Sequence, residues 1–71
     1  MNISINYNKL WKLLIDKGYN KTQLGDMAGV STNAMAKLGK NEAVQIDTLI
    51  RICIVLNCKL DDIVEFEEWG N

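Results

Sequence analysis

The chain has 71 residues, a formal net charge of −1, two cysteines and no histidine, and 48% of its residues are hydrophobic. This length predicts one domain, spanning residues 1–71, with a modest core and no deep catalytic cleft. Because the commonest general base and metal ligand is absent and no paired catalytic set is present, we expect neither an enzyme nor a protein with a metal or cofactor.

The two cysteines and the apolar segments indicate a cellular location. Cys53 and Cys58 are expected to be free thiols in a reducing compartment, and a disulfide between them is the alternative. No apolar run approaches the roughly 20 residues that cross a membrane, and residues 1–4 lack the basic start of a signal peptide. The sequence therefore predicts a cytoplasmic protein.

The first predicted helix covers about residues 7–17 and follows a short alternating segment, Ile3–Ile5, that could be a strand. Asn6 is its expected N-cap, and Gly18 follows its basic last turn. Its apolar residues recur at the spacing of an amphipathic helix: Tyr7, Leu10, Trp11 and Leu14.

Two short helices with well-defined starts come next. Asn20 and Gln23 fit a capping box, which predicts a helix over about 21–28 that Gly29 ends. Ser31 is a suitable N-cap for a third helix over about 32–39. Two short helices joined by a tight glycine turn have the layout of a helix-turn-helix.

The second half of the chain predicts a longer apolar helix and a shorter one. The longer helix covers about residues 46–56, and a short fifth helix is expected around Leu60, Ile63 and Val64. The longer helix has two apolar rows, one for the core and one that needs another partner: Leu49, Ile52, Cys53 and Leu56 in the first, and Ile46, Ile50 and Ile54 in the second.

Charge is divided unevenly along the chain. Residues 1–40 carry six lysines against two aspartates, a sum of +4, whereas residues 41–71 carry two cations against seven acids, a sum of −5. Such a division is typical of a basic working surface and an acidic remainder, although unevenly charged solvent-facing helices would give the same count.

The order of these elements resembles the Cro/phage-repressor-type helix-turn-helix regulators of the Xre class. The similarity extends over nearly the whole chain. It is carried by the segments YNKLWKLLIDKG, KTQL, AGVSTNAMAKLGKNE, DTLIRICIVLNC and DDIVE. The resemblance implies an all-α fold of five helices, with a third helix that enters the major groove of double-stranded DNA. Short terminal strands are a possible addition that the sequence itself suggests.

The resemblance also implies which residues contact DNA. The family's base-contacting positions at the start of the third helix match Thr32 and Asn33, followed by Ala36 and Lys37. Asparagine can pair with adenine, threonine and alanine can contact a thymine methyl, and Lys37 could bind either guanine or phosphate. The expected phosphate contacts are Lys21, Thr22, Ser31, Lys40 and Asn41. Without this context, Thr32 and Asn33 would be ordinary solvent-facing residues.

Two features depart from the family pattern. Gly25 lies where the wider family usually has alanine, at a cost in helix propensity of about 1 kcal/mol. The acidic second half would repel DNA, so we expect it to face away from the duplex.

The predicted function is sequence-specific DNA binding by a transcriptional regulator, which is expected to act as a repressor. No small-molecule ligand is expected. A homodimer is possible. A candidate dimer surface comprises Ile46, Ile50, Ile54, Phe66 and Trp69. The alternative is that the terminal segments cover Ile50 and Ile54, including a pairing of Ile3–Ile5 with Val64–Phe66. A protein-interaction module that uses its apolar or acidic half is the alternative function.

Overall fold

The computed structural model describes residues 2–69, and within this range it describes the side chains of residues 3–68. Four α-helices, one 3-10 turn and a two-stranded antiparallel sheet make up this part of the chain. In chain order they are β1 (Asn2–Asn6), α1 (Asn8–Lys17), α2 (Lys21–Ala28), α3 (Thr32–Gly39), α4 (Ile46–Leu56), the 3-10 turn (Leu60–Asp62) and β2 (Glu65–Trp69).

The predicted fifth helix is wrong and with it the count of five helices, whereas the short terminal strands that the sequence suggested are present. The segment forms only the turn Leu60–Asp62, whose start is fixed by the Lys59 backbone N–H, which donates to Asp62 Oδ2 at 2.9 Å. The chain becomes extended again at Glu65 to pair with β1, so only residues 60–64 lie between the Lys59 N-cap and β2, fewer than two turns of α-helix. The fold is therefore mainly helical with a small sheet.

The start of α1 differs by one residue from the expected start. Tyr7, not Asn6, occupies the N-cap position, because Asn6 is the last residue of β1 and pairs with Glu65. The Asn6 Oδ1 atom accepts a hydrogen bond from the Asn8 backbone N–H at 3.2 Å. Tyr7 is fully buried, and its hydroxyl donates to the Glu42 carbonyl oxygen at 2.7 Å, which anchors this junction to the loop after α3.

The caps of α2 and α3 agree with the sequence. Asn20 Oδ1 accepts from the Gln23 N–H at 2.7 Å and Gln23 Oε1 accepts from the Asn20 N–H at 2.9 Å, which completes the capping box. Gly29 ends α2 in the left-handed conformation, at a φ of 65°. Ser31 Oγ accepts from the Ala34 N–H at 3.2 Å and caps α3.

Side chains from all four helices form one buried cluster. Helices α2 and α3 each have eight residues, too few to be stable alone in water, so their packing on this cluster holds them in place. Ile5, Trp11 and Met35 pack against it from the side. Its buried members are Tyr7, Leu10, Leu14, Leu24, Ala28, Leu38, Leu49, Ile52, Cys53, Leu56 and Ile63.

The two terminal segments pair with each other, but they do not cover the second apolar row of α4. Ile5 lies opposite Phe66 and Ile3 lies opposite Glu68 in the antiparallel ladder. In the described part of the chain, Ile46, Ile50 and Ile54 stay exposed by 58%, 45% and 73%. The alternative in which the termini bury these isoleucines is therefore wrong for residues 3–68.

Both cysteines are free thiols close to the end of α4. Cys53 is buried and Cys58 is half-buried. Burial, reinforced by the neighbouring Cys58 thiol, raises the pKa of the Cys53 thiol to about 11, and burial also raises the pKa of Cys58. Because the thiolate is the reactive form, neither cysteine has the environment of a nucleophile at neutral pH.

Candidate nucleic-acid interface

Helix α3 divides its side chains between the core and solvent. Leu38 is fully buried, and Ala34 and Met35 are half-buried, so these residues fix one side of the helix to the body of the protein. The opposite side is exposed and carries the four residues expected to contact bases: Thr32, Asn33, Ala36 and Lys37.

The exposed face of α3 is slim and bears no negative charge. Its side chains are a threonine, an asparagine, an alanine and one flexible lysine, and the first turn of α3 contains no acidic residue. A major groove about 12 Å wide accepts an α-helix whose inserted side has this profile. The arrangement can place hydrogen-bonding groups from Asn33 and Thr32 against base edges.

The residues expected to contact phosphates lie at both ends of α3. Ser31 caps its start, and Lys21 and Thr22 are exposed in the first turn of α2. Lys40 and Asn41 are exposed at the other end of α3, nine and ten residues after Ser31. At 1.5 Å per residue, Ser31 and Lys40 are separated by about 13 Å along the axis of α3.

Ser31 and Asn41 also take part in hydrogen bonds within the protein. The Ser31 hydroxyl oxygen already accepts the capping hydrogen bond from Ala34. Asn41 adopts a left-handed conformation with a φ of 58°, and its Oδ1 accepts from the Tyr7 backbone N–H at 3.4 Å. Asn41 therefore links the end of α3 to the start of α1 through its oxygen, which leaves its amide N–H groups for another partner.

A shallow groove of about 190 Å³ joins α2 to α3. Lys21 and Thr22 from α2 line this groove together with Thr32 and Met35 from α3. Asp26 also lines it and is the one carboxylate among its lining residues. The groove thus brings two expected phosphate contacts next to the first expected base contact.

Two contacts at this surface have no signal in the sequence. The Lys21 ammonium lies over the Trp11 ring, with Nζ 4.2 Å from the ring centroid. The Arg51 guanidinium donates to the Gly29 carbonyl oxygen at 3.3 Å. Each joins one helix to a residue outside it, and the pattern of one helix does not show which residue elsewhere will reach it.

The acidic part of the chain is concentrated in other elements. Five of its seven carboxylates lie in the 3-10 turn and in β2, neither of which contains an expected DNA contact. These carboxylates are Asp61, Asp62, Glu65, Glu67 and Glu68.

The candidate dimer surface is partly described. Ile46, Ile50 and Ile54 form a row at a spacing of four residues along α4, and all three are exposed. Phe66 on β2 is 72% exposed. The side chain of Trp69, the fifth member of the predicted surface, lies outside the described residues.

No group of three or more histidine, cysteine or carboxylate side chains within the described residues could hold a metal ion. In the same range, no helix has both the length and the apolar character needed to cross a membrane.

Comparison with known proteins agrees with this geometry. Residues 9–68 match the model of the Cro/C1-type helix-turn-helix DNA-binding domain. Among solved structures, the crystal structure of the transcriptional regulator VanUg, form II, is 48% identical in sequence and has a TM-score of 0.91. That match covers 94% of this chain and 89% of the other. No curated protein matches the chain. The family match spans the capped helices, the glycine turn and the slim face of α3, and the chain belongs to the Cro/C1-type helix-turn-helix DNA-binding family.

Proposed function

We propose that this protein is a transcriptional regulator, acting as a repressor, that binds double-stranded DNA sequence-specifically with α3 in the major groove. The observation that carries the proposal is the face of α3, where Thr32, Asn33, Ala36 and Lys37 are exposed while Leu38 is fully buried. The 48% identity to a transcriptional regulator supports a role in transcription. In this proposal residues 1–71 act as one domain in the cytoplasm, where the DNA is, and perform no catalysis.

Specificity in this proposal comes from the first turns of α3. The Asn33 amide both donates and accepts, which matches the N6 and N7 atoms of adenine in the major groove. Thr32 and Ala36 each present a methyl group that can contact the methyl of thymine. Lys37 is long enough to reach either a guanine or a phosphate.

Affinity in this proposal comes from the two groups that bracket α3. Lys21 and Thr22 lie at the start of α2, where backbone N–H groups at a helix N-terminus also favour an anion. Ser31, Lys40 and Asn41 provide the remaining phosphate contacts. Each lysine–phosphate pair should contribute about −0.9 to the slope of log K against log salt concentration.

Replacement of a base contact and of a phosphate contact should have different effects. Asn33→Ala should relax discrimination at one base position and cost about 1–3 kcal/mol for the preferred site. Lys21→Ala should weaken binding to all sequences alike. It should also reduce the steepness of the slope of log K against log salt concentration by about 0.9, the contribution of one lysine–phosphate pair. The measurement is selection of bound sites from a random duplex pool, followed by titration of the selected site at several salt concentrations.

Lys59→Ala is the matched control, since Lys59 is exposed but lies in the acidic half of the chain. It should leave the affinity and the selected sequence unchanged. If Asn33→Ala and Lys21→Ala lowered affinity uniformly, the division into base and phosphate contacts would be wrong. If the wild-type protein showed no salt-dependent binding to duplex DNA, a protein-interaction module would be the better description.

The same proposal includes a homodimer formed through α4. Helix-turn-helix dimers contact two half-sites about 34 Å apart, and the dimer axis sets that distance. A second copy of the chain would cover Ile46, Ile50 and Ile54, whose exposure in the described part of the chain is otherwise unexplained. Phe66, also exposed, is the further apolar residue in this surface whose side chain is described.

A further inference from the structure

The Lys21 side chain is held by an aromatic ring rather than by a carboxylate. Its Nζ atom lies 4.2 Å from the centroid of the Trp11 ring, within the distance at which a cation is attracted to the ring face. Within the described residues the one ion pair joins Arg51 and Asp47, so Lys21 has no carboxylate partner there. The contact joins α1 to the first turn of α2.

The Trp11 ring in this contact is itself fixed by packing. It is half-buried and packs against the buried cluster that also fixes α2 and α3. Lys21 is exposed and lines the groove between α2 and α3 together with Thr22 and Thr32. The ring therefore holds the ammonium at the edge of the surface where the proposed base and phosphate contacts meet.

A lysine held in this way can still bind an anion. An ammonium has three N–H donors, and a ring on one side leaves the other side free for phosphate oxygens. A lysine side chain that is free in solution loses rotamer freedom when it contacts a phosphate, which weakens the contact. A side chain already restricted by a ring loses less of this freedom on binding.

We propose that Trp11 is a positioning residue for DNA binding, which acts by holding the Lys21 ammonium in place for a phosphate of the duplex. This inference rests on the proposed function and assigns a role to a residue that does not itself contact the DNA.

A double-mutant cycle tests the proposal with a random-sequence duplex of about 20 base pairs as the probe, since phosphate contacts do not depend on base sequence. Trp11→Leu should weaken binding about two- to fivefold. Trp11→Phe, which keeps an aromatic face, should retain most of the affinity. In a Lys21→Ala background, Trp11→Leu should have no further effect, because the group that it positions is gone.

The salt dependence gives a readout that a general loss of stability would not move. In the protein that retains Lys21, Trp11→Leu should make the slope of log K against log salt concentration less steep. In the Lys21→Ala background, Trp11→Leu should leave this slope unchanged. Equal losses of affinity in both backgrounds would overturn the proposal, since Trp11 would then act through the fold alone. A gain in affinity for Trp11→Leu would also overturn it, because the ring would be competing with the phosphate.

A second measurement needs no substitution at Trp11 and so does not depend on that variant folding. Proton NMR of the wild-type protein should show the Lys21 side-chain methylene signals shifted upfield by the ring, both free and bound to the duplex. Loss of this shift on binding would overturn the inference while leaving the proposed function intact. If the wild-type protein bound no duplex DNA, the proposed function would fail and the inference with it.

Discussion

Gly25 lies inside α2, where its lack of a side chain is not required by its surroundings. A Cβ atom at this position would be 3.5 Å from Met35 Cγ and 3.5 Å from the Val30 carbonyl oxygen, which are ordinary contact distances. Gly25→Ala should therefore raise the free energy of unfolding by about 0.5–1 kcal/mol, since alanine restricts the unfolded chain and favours the helix. Urea unfolding followed by circular dichroism measures this change.

Gly29→Ala is the matched control for that experiment. Gly29 has a φ of 65°, in the left-handed region that an alanine adopts only at a cost of about 1–2 kcal/mol. Gly29→Ala should lower the urea midpoint of unfolding, whereas Gly25→Ala should raise it. A lower midpoint for Gly25→Ala would mean that α2 and α3 must pack more closely than an alanine allows.

Single residues with a local role could be predicted from the sequence, whereas residues that act across the fold could not. Ser31 and the pair Asn20 and Gln23 were identifiable because each caps a helix through partners three residues away. The Lys21–Trp11 contact joins two helices, and the Tyr7 hydroxyl reaches a carbonyl 35 residues away. Sequence spacing carries no information about such pairs.

At the scale of an element, α2 depends on its capping box. The helix has eight residues, and Asn20 satisfies the Gln23 N–H at 2.7 Å. Asn20→Ala should lower the free energy of unfolding by about 0.5–2 kcal/mol, because a backbone donor in the first turn loses its partner. Thermal unfolding of the two proteins measures the difference.

Thr22→Ala is the control for the cap, since Thr22 lies in the same first turn, is exposed and makes no capping hydrogen bond. It should change stability by less than Asn20→Ala does. Equal losses from the two substitutions would show that the first turn of α2 is held by packing and not by its cap.

Elements with a clear start and period could be predicted, and the segment after α4 could not. The apolar spacing of Leu60, Ile63 and Val64 favours a helix, but Val64 leads directly into β2, which pairs with β1 from the other end of the chain. Pairing with a distant strand overrode the local pattern. The slim face of α3, by contrast, follows from the helical period alone, and its side chains are exposed as that period requires.

At the scale of the whole molecule, the proposed dimer depends on the exposed isoleucines of α4. Ile54 is 73% exposed, so a charge there should leave the fold intact and disrupt contact with a second copy. We expect the wild-type protein to sediment as a dimer and Ile54→Asp as a folded monomer. Sedimentation velocity together with circular dichroism tests both parts.

Ile15→Asp is a matched control, because Ile15 on α1 is 76% exposed and lies outside the proposed surface. The Ile15→Asp protein should sediment as a dimer, like the wild-type protein. A dimer that persists in Ile54→Asp would show that copies associate elsewhere. Loss of folded structure in Ile54→Asp alone would show that this isoleucine contributes to the core.

The Arg51 contact has a consequence for the operators that such a dimer could use. Arg51 links α4 to the turn between α2 and α3 through the Gly29 carbonyl oxygen, and α4 also carries the exposed isoleucines. If two copies meet along α4, the distance between the α3 helices of the two copies is set by the packing of α4 on α2 and of α2 on α3, with no flexible linker in between. Such a dimer could not lengthen to fit an operator with more base pairs between its half-sites. Each added base pair turns one half-site about 35° away from the other, and bending or twisting of the DNA would have to make up the difference.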